Sequence, residues 1–144
     1  MIAPKLTMQE EQTINLILEG FSGRAKRPLT LEQLIAEWEQ FVSTLKKCYP
    51  FSIYDYQNDL SIRDLLQEIL EQSPSSIREK IIRTVSPLDE QFKQLTYKIN
   101  SPLLDGINPR YWWWYRFPKN AGNELRDTVE SLEKGIFGYL GSSG

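Results

Sequence analysis

The sequence predicts an all-α protein, a single-domain bundle of five or six helices, one of them kinked near Pro87. Three observations carry that prediction. Apolar residues recur at helical spacing through most of the chain, capping patterns stand in front of several of those stretches, and no series of alternating strands competes with them. The plainest stretch is Thr30 to Lys47. At roughly 100° per residue, Leu31, Leu34, Ile35, Trp38, Phe41, Val42 and Leu45 fall on one stripe, with Glu32, Glu39, Ser43 and Lys47 off it. Thr30 and Gln33 have the spacing of a capping box. This amphipathic helix must press Trp38 into the rest of the chain.

Taken in order, the first helix opens at Thr7, where TMQE is another capping box, and runs to about Glu19 with Ile14, Ile17, Leu18 and Phe21 inward. Gly20 and Gly23 are expected to end it. The connector FSGRAKRP carries Arg24, Lys26 and Arg27, a dense basic cluster that reads as a solvated loop. After the organising helix, Tyr49-Pro50 is a stop, because the residue before proline is pushed out of the α region. FSIYDYQNDL then reads as a turn, with a single helical turn opened by Ser52, and Asn58 or Asp59 caps a helix through about Gln72. Its inward stripe is Ile62, Leu65, Leu66, Ile69 and Leu70. Opposite that stripe Asp64, Glu68 and Glu71 align into an acidic ridge, a secondary candidate surface for a basic partner.

Ser73-Pro74 has the form of an N-cap followed by an N1 proline. Beyond it Ile77, Ile81, Val85, Leu88, Phe92, Leu95 and Ile99 keep one helical phase across Pro87. A proline in a helix interior costs about 3 kcal/mol, and two helices with Ser86 as a cap would avoid that cost. The unbroken phase favours one kinked helix. Residues 100–109, NSPLLDGINP, read as a loop, and residues 118–123 as a connector. A last helix is expected from about Gly122 to Lys134, with Leu125, Val129 and Leu132 inward. The single domain is expected to span residues 1–140, with 141–144 a flexible tail.

Composition narrows the function. The 144 residues carry a net charge of −2 and a pI near 5.3, so nothing global draws the chain to nucleic acid or anionic lipid. The lone Cys48 excludes an intrachain disulfide and a cysteine-cluster metal site and fits a reducing cytosol, so a cytoplasmic location is expected. No apolar run approaches the roughly 18 residues of a membrane span, and MIAPKLTMQEEQ turns polar before a signal-peptide core can form. The absence of histidine removes the usual general base and the commonest metal ligand together. Cys48 follows Lys46 and Lys47 but lies at a helix end whose dipole disfavours a thiolate, which makes it a passive thiol. No catalytic residue, metal site or cofactor is expected.

The candidate site is the run from Arg110 to Phe117. Tyr111, Trp112, Trp113, Trp114, Tyr115 and Phe117 put six rings into seven positions, flanked by Arg110 and interrupted by Arg116. Helical spacing spreads such a run around an axis and strand spacing splits it between two faces, so one face cannot take all six. Either Asn108-Pro109 starts a short helix whose rings wall the core, or some rings anchor an interface, where tryptophan, tyrosine and arginine bury much area. The expected function is a small protein-interaction module, adaptor or inhibitor-like, whose partner is another protein or a second copy. An alternative is a small-molecule-binding or enzymatic protein with an aromatic pocket using Tyr54, Tyr56, Asp55 or Asp59. A third reading is contact with a membrane surface through interfacial tryptophans. Only Arg110, Arg116 and Lys119 accompany the rings in an acidic chain, which argues against single-stranded nucleic acid.

Overall fold

The computed structural model describes residues 3–25, 28–100, 102 and 107–128. It is an all-α bundle with a small two-stranded ribbon at one end. Four helices come first: α1 (Met8–Ala25), α2 (Leu31–Lys47), α3 (Ile53–Gln72) and α4 (Ser75–Gln94). Strand β1 (Thr96–Lys98) follows, then a 3-10 turn (Trp112–Tyr115) and strand β2 (Arg116–Pro118). Residues 123–128 are helical again. Val129, Leu132, the expected tail and the side chains of Arg24, Lys26 and Arg27 lie outside the described residues.

The organising helix forms as its pattern requires. Thr30 is extended and its hydroxyl accepts from the Gln33 N–H at 3.1 Å, satisfying one of the donors that a helix start leaves free. All seven stripe residues of α2 are buried, Trp38 and Leu34 completely. Helix α2 packs on α3 and α4, and α3 packs on α1 and α4. The rings of Trp38, Phe41, Tyr49, Tyr56 and Phe92 form a connected cluster at centroid distances of 5.2 to 5.8 Å for the pairs Trp38 with Phe92 and Phe41 with Tyr56. Rings at such separations add attraction beyond the area they bury.

Several element boundaries depart from the sequence reading. The Thr7 box is present in both directions, at 2.9 and 3.1 Å, but α1 does not end at Gly20. It continues through Gly23, because Ile14, Leu18 and Phe21 lie on one buried stripe, and that burial outweighs the roughly 1 kcal/mol a helical glycine costs. Helix α3 begins at Ile53, earlier than Asn58 or Asp59. Ser52 and Asp55 make a reciprocal capping box, so residues 53–58 are helix and not turn. Ser73 is the end of α3, its hydroxyl donating to the Ile69 carbonyl at 2.6 Å. Pro74, not Ser73, caps α4, without a side-chain bond.

Helix α4 runs unbroken through Pro87, as its phase implied, with Ile77, Ile81, Val85, Leu88 and Phe92 buried. Pro87 and Arg83 are both exposed, so the carbonyl deprived of its donor is left on the water side of the helix. The helix stops at Gln94, short of the expected Ile99. Thr96 Oγ1 donates to the Phe92 carbonyl at 2.7 Å, and Thr96-Tyr97-Lys98, β-branched and aromatic at its start, takes strand geometry. This strand pairs antiparallel with β2 in the register Thr96 with Pro118, Tyr97 with Phe117 and Lys98 with Arg116. The ribbon was not legible as a strand series.

Beyond β2 the chain returns to the bundle. The Tyr49 N–H donates to the Asn120 carbonyl at 2.9 Å and the Gly122 N–H donates to the Tyr49 carbonyl at 2.8 Å, while the Asn120 amide donates to the Lys47 carbonyl at the end of α2. A Cβ on Gly122 would meet Pro50 Cα at 3.3 Å. Glycine therefore lets two backbones approach where the last segment docks. Buried residues from α1 through Leu125 form one cluster.

A cationic cleft beside the aromatic run

The aromatic run divides between inside and outside. Tyr111, Trp113, Trp114 and Phe117 are buried, Trp112, Tyr115 and Arg116 are half-buried, and Arg110 is exposed. The 3-10 turn produces this division. Its tight winding sends Trp113 and Trp114 inward together, and the extended backbone of β2 then turns Phe117 into the core, stacked on Tyr56 at 5.2 Å.

One carboxylate fixes the turn. Asp64 of α3 accepts from the indole Nε1 of Trp113 at 2.7 Å and of Trp114 at 2.8 Å, both on the same oxygen. A buried indole N–H without an acceptor costs about 1–3 kcal/mol, so the two donors stand or fall on Asp64. Burial of the group raises the Asp64 pKa above its ordinary value, opposed by the two indole bonds. Of the expected acidic ridge, Asp64 therefore holds the core together, while Glu68 is half-buried and Glu71 exposed beside it.

A second charged assembly lies beneath the turn. Arg63 of α3 and Asp89 of α4 are 5% and 9% exposed and pair bidentately, Nε to Oδ1 at 3.0 Å and Nη2 to Oδ2 at 2.9 Å. The same Asp89 Oδ1 accepts from Trp38 Nε1 at 3.1 Å. The Arg63 guanidinium lies 4.4 Å from the Trp113 ring centre, a cation–π contact that strengthens away from water. Buried polar groups are tolerated only when paired, and among the described residues no buried side-chain nitrogen or oxygen lacks a partner.

The half-buried side of the run faces a cleft of about 550 Å³ between the end of α4, β1 and the 3-10 turn. Lys93, Lys98, Arg110 and Arg116 line it together with Trp112 and Tyr115, and no described carboxylate does. Arg116 is held by three bonds: Nε donates to Thr96 Oγ1 at 2.8 Å, and Nη2 to the carbonyls of Lys93 at 2.9 Å and Thr96 at 3.1 Å. Lys93 Nζ lies 4.7 Å from the Trp112 ring centre and 3.3 Å from Glu90 at an exposed position. Lys98 and Arg110 are exposed and form no ion pair among the described residues.

Sequence reasoning found Arg110, Trp112, Tyr115 and Arg116 of this cleft and missed Lys93 and Lys98. Both lysines were absorbed into a helix expected to run to Ile99. The change from helix to strand at Thr96 is what brings Lys98 opposite Arg116. The alternative pocket residues have separate tasks. The Tyr56 hydroxyl donates to the Arg116 carbonyl at 2.6 Å, Asp55 caps α3, and Tyr54 is 73% exposed. Asp59 accepts from the Tyr49 hydroxyl at 2.6 Å. Burial first, and then Asp59, push the Tyr49 hydroxyl far above its usual range, and burial likewise raises the Asp59 carboxyl.

Among the described residues no helix is long and apolar enough to cross a membrane, and no three metal-capable acidic or cysteine side chains come together. Compared with protein-family models, curated proteins and solved structures, the chain matches none of them.

Proposed function

We propose that the protein is a binding module that takes an acidic, extended segment of a partner protein in the cleft between α4, β1 and the 3-10 turn. The observation that carries this reading is the concentration of Lys93, Lys98, Arg110 and Arg116 around two half-buried rings in a chain whose net charge is −2. Cations gathered on one wall of an acidic protein steer an anion to that wall, and the rings supply apolar area for the neighbouring residue. The strand edge favours a peptide as occupant. The Ile99 N–H donates to the Tyr115 carbonyl and the Lys119 N–H to the Leu95 carbonyl, so odd-numbered residues of β1 face β2. In an antiparallel ladder the residue between them turns its N–H and C=O the other way. Lys98 thus turns its main-chain N–H and C=O away from β2, toward the edge at which an extended segment can add to a sheet.

The test is a calorimetric titration of the protein with a short glutamate-rich peptide, followed at rising salt. Binding that weakens with salt and is abolished in Lys98→Glu/Arg110→Glu, with unfolding unchanged, supports the module. Equal binding by wild type and the double variant overturns it.

A further inference from the structure

We infer that the acidic group this cleft takes is a phosphate monoester carried on the partner's extended segment. This rests on the reading of the cleft as a site for an acidic segment, and it adds the chemistry of the recognised group. A single carboxylate brings one charge, whereas a phosphate monoester brings about −1.5 to −2 at neutral pH and three acceptor oxygens. Of the four cationic side chains around this cleft of about 550 Å³, Lys93 pairs with Glu90, and the other three, Lys98, Arg110 and Arg116, exceed what one carboxylate can engage and match a dianion.

The state of Arg116 sharpens the point. Its Nε and Nη2 are spent on Thr96 and the Lys93 carbonyl. Its Nη1 makes no hydrogen bond among the described residues and is not a buried unpaired atom. Arg116 is half-buried and three bonds fix its guanidinium, so an incoming anion meets a group whose side-chain entropy is already spent. Lys98, opposite Arg116 in the ribbon register, and Arg110, two residues before Trp112, are exposed cations of the cleft with no ion pair among the described residues, and both can close on the same group. Charge-assisted bonds from fixed arginine and mobile lysine are the usual means of holding phosphate. Burial first, and then Glu71 and Glu68, raise the Tyr111 hydroxyl above its usual value. With a net charge of −2 on the chain, the positive region is local to the cleft, and not the broad basic face that a bilayer or a nucleic-acid backbone needs.

The experiment passes four randomised peptide pools over the immobilised protein, each with one fixed central residue: phosphoserine, phosphotyrosine, glutamate or serine. Retention of a phosphorylated pool about tenfold above the glutamate pool is expected, together with its loss in Lys98→Ala/Arg110→Ala and a smaller loss in Arg116→Lys. Because Arg116 also braces the ribbon, the Arg116 variant counts only with an unchanged urea midpoint, and the exposed double variant decides in any case. Equal retention of the glutamate and phosphorylated pools overturns the phosphate inference and leaves the acidic-segment reading standing. Retention of no acidic pool overturns both. Phosphopeptide retention that survives the double substitution places the site elsewhere and overturns the inference, and so does binding to anionic vesicles or single-stranded oligonucleotide with no phosphopeptide retained.

Discussion

Two places in this molecule are built from the same parts, arginine beside tryptophan, and they differ in what is left unpaired. Beneath the 3-10 turn, Arg63 is closed off. Asp89 takes both prongs of its fork, Gln67 accepts from Nη1 at 3.1 Å, and the Trp113 ring lies against it. At the cleft, Arg116 is equally fixed but is half-buried, its Nη1 has no hydrogen bond among the described residues, and two neighbouring cations have no counter-ion among them. The first assembly spends all its polar capacity on the fold. The second holds capacity in reserve, and reserve polar capacity on a rigid frame is what binding requires.

The largest expected effect comes from breaking the closed assembly. Asp89→Ala leaves the Arg63 guanidinium buried and unpaired and takes the acceptor from Trp38, so a loss of about 3–5 kcal/mol is expected in urea unfolding. Preservation of wild-type stability would show that water reaches Arg63. Next comes the clamp between the two regions. Asp64→Ala strands the Trp113 and Trp114 donors and is expected to cost about 2–4 kcal/mol. Asp64→Asn keeps an acceptor oxygen in the same place and should retain most of that.

The same pair of proteins tests the proton linkage. Folding raises the Asp64 pKa above its ordinary value of 3.8, so the folded chain holds that proton more tightly than the unfolded chain. Stability from this group is then full below the unfolded pKa and lost as pH rises through the folded one. Wild type should therefore gain on Asp64→Asn as the pH is lowered from 7 toward 4. A constant difference between the two would remove Asp64 as the source.

The smallest stability effect is expected at the open assembly. Lys98→Ala/Arg110→Ala alters exposed cations with no ion pair among the described residues and should change stability by less than about 0.5 kcal/mol, while acidic-peptide binding falls. Substantial destabilisation by this variant would erase the contrast, because the cleft cations would then be part of the fold.

The buried pair also shows how legibility depends on a helix start. With α3 begun at Ile53, the residues Ile53, Tyr56, Leu60, Arg63, Leu66 and Leu70 form one buried stripe, and Arg63 stands in line with apolar neighbours on both sides. A start at Asn58 or Asp59 discards the first two and leaves Arg63 looking solvated. Asp89 shares the buried side of α4 with Val85, Leu88 and Phe92, but a carboxylate there makes sense only beside Arg63 and Trp38, which lie 26 and 51 residues away in sequence. A buried tryptophan announces that its N–H needs an acceptor. It does not say which.

The sequence by itself determined the helical class, the complete stripe of α2, the Thr7 and Thr30 caps and the passage of α4 through Pro87. All of these follow from bonds and spacings within a few residues of one another, which a local reading contains. Only tertiary structure decided which rings of the run go inward and which flank the cleft, because that division depends on Asp64 of α3 gathering two indoles and on β1 pairing with β2, a strand distant in sequence. The cleft itself exists because Lys98 leaves the helical phase at Thr96 to face Arg116. Such pairings are set by free-energy differences between distant contacts, and no spacing in the sequence encodes them.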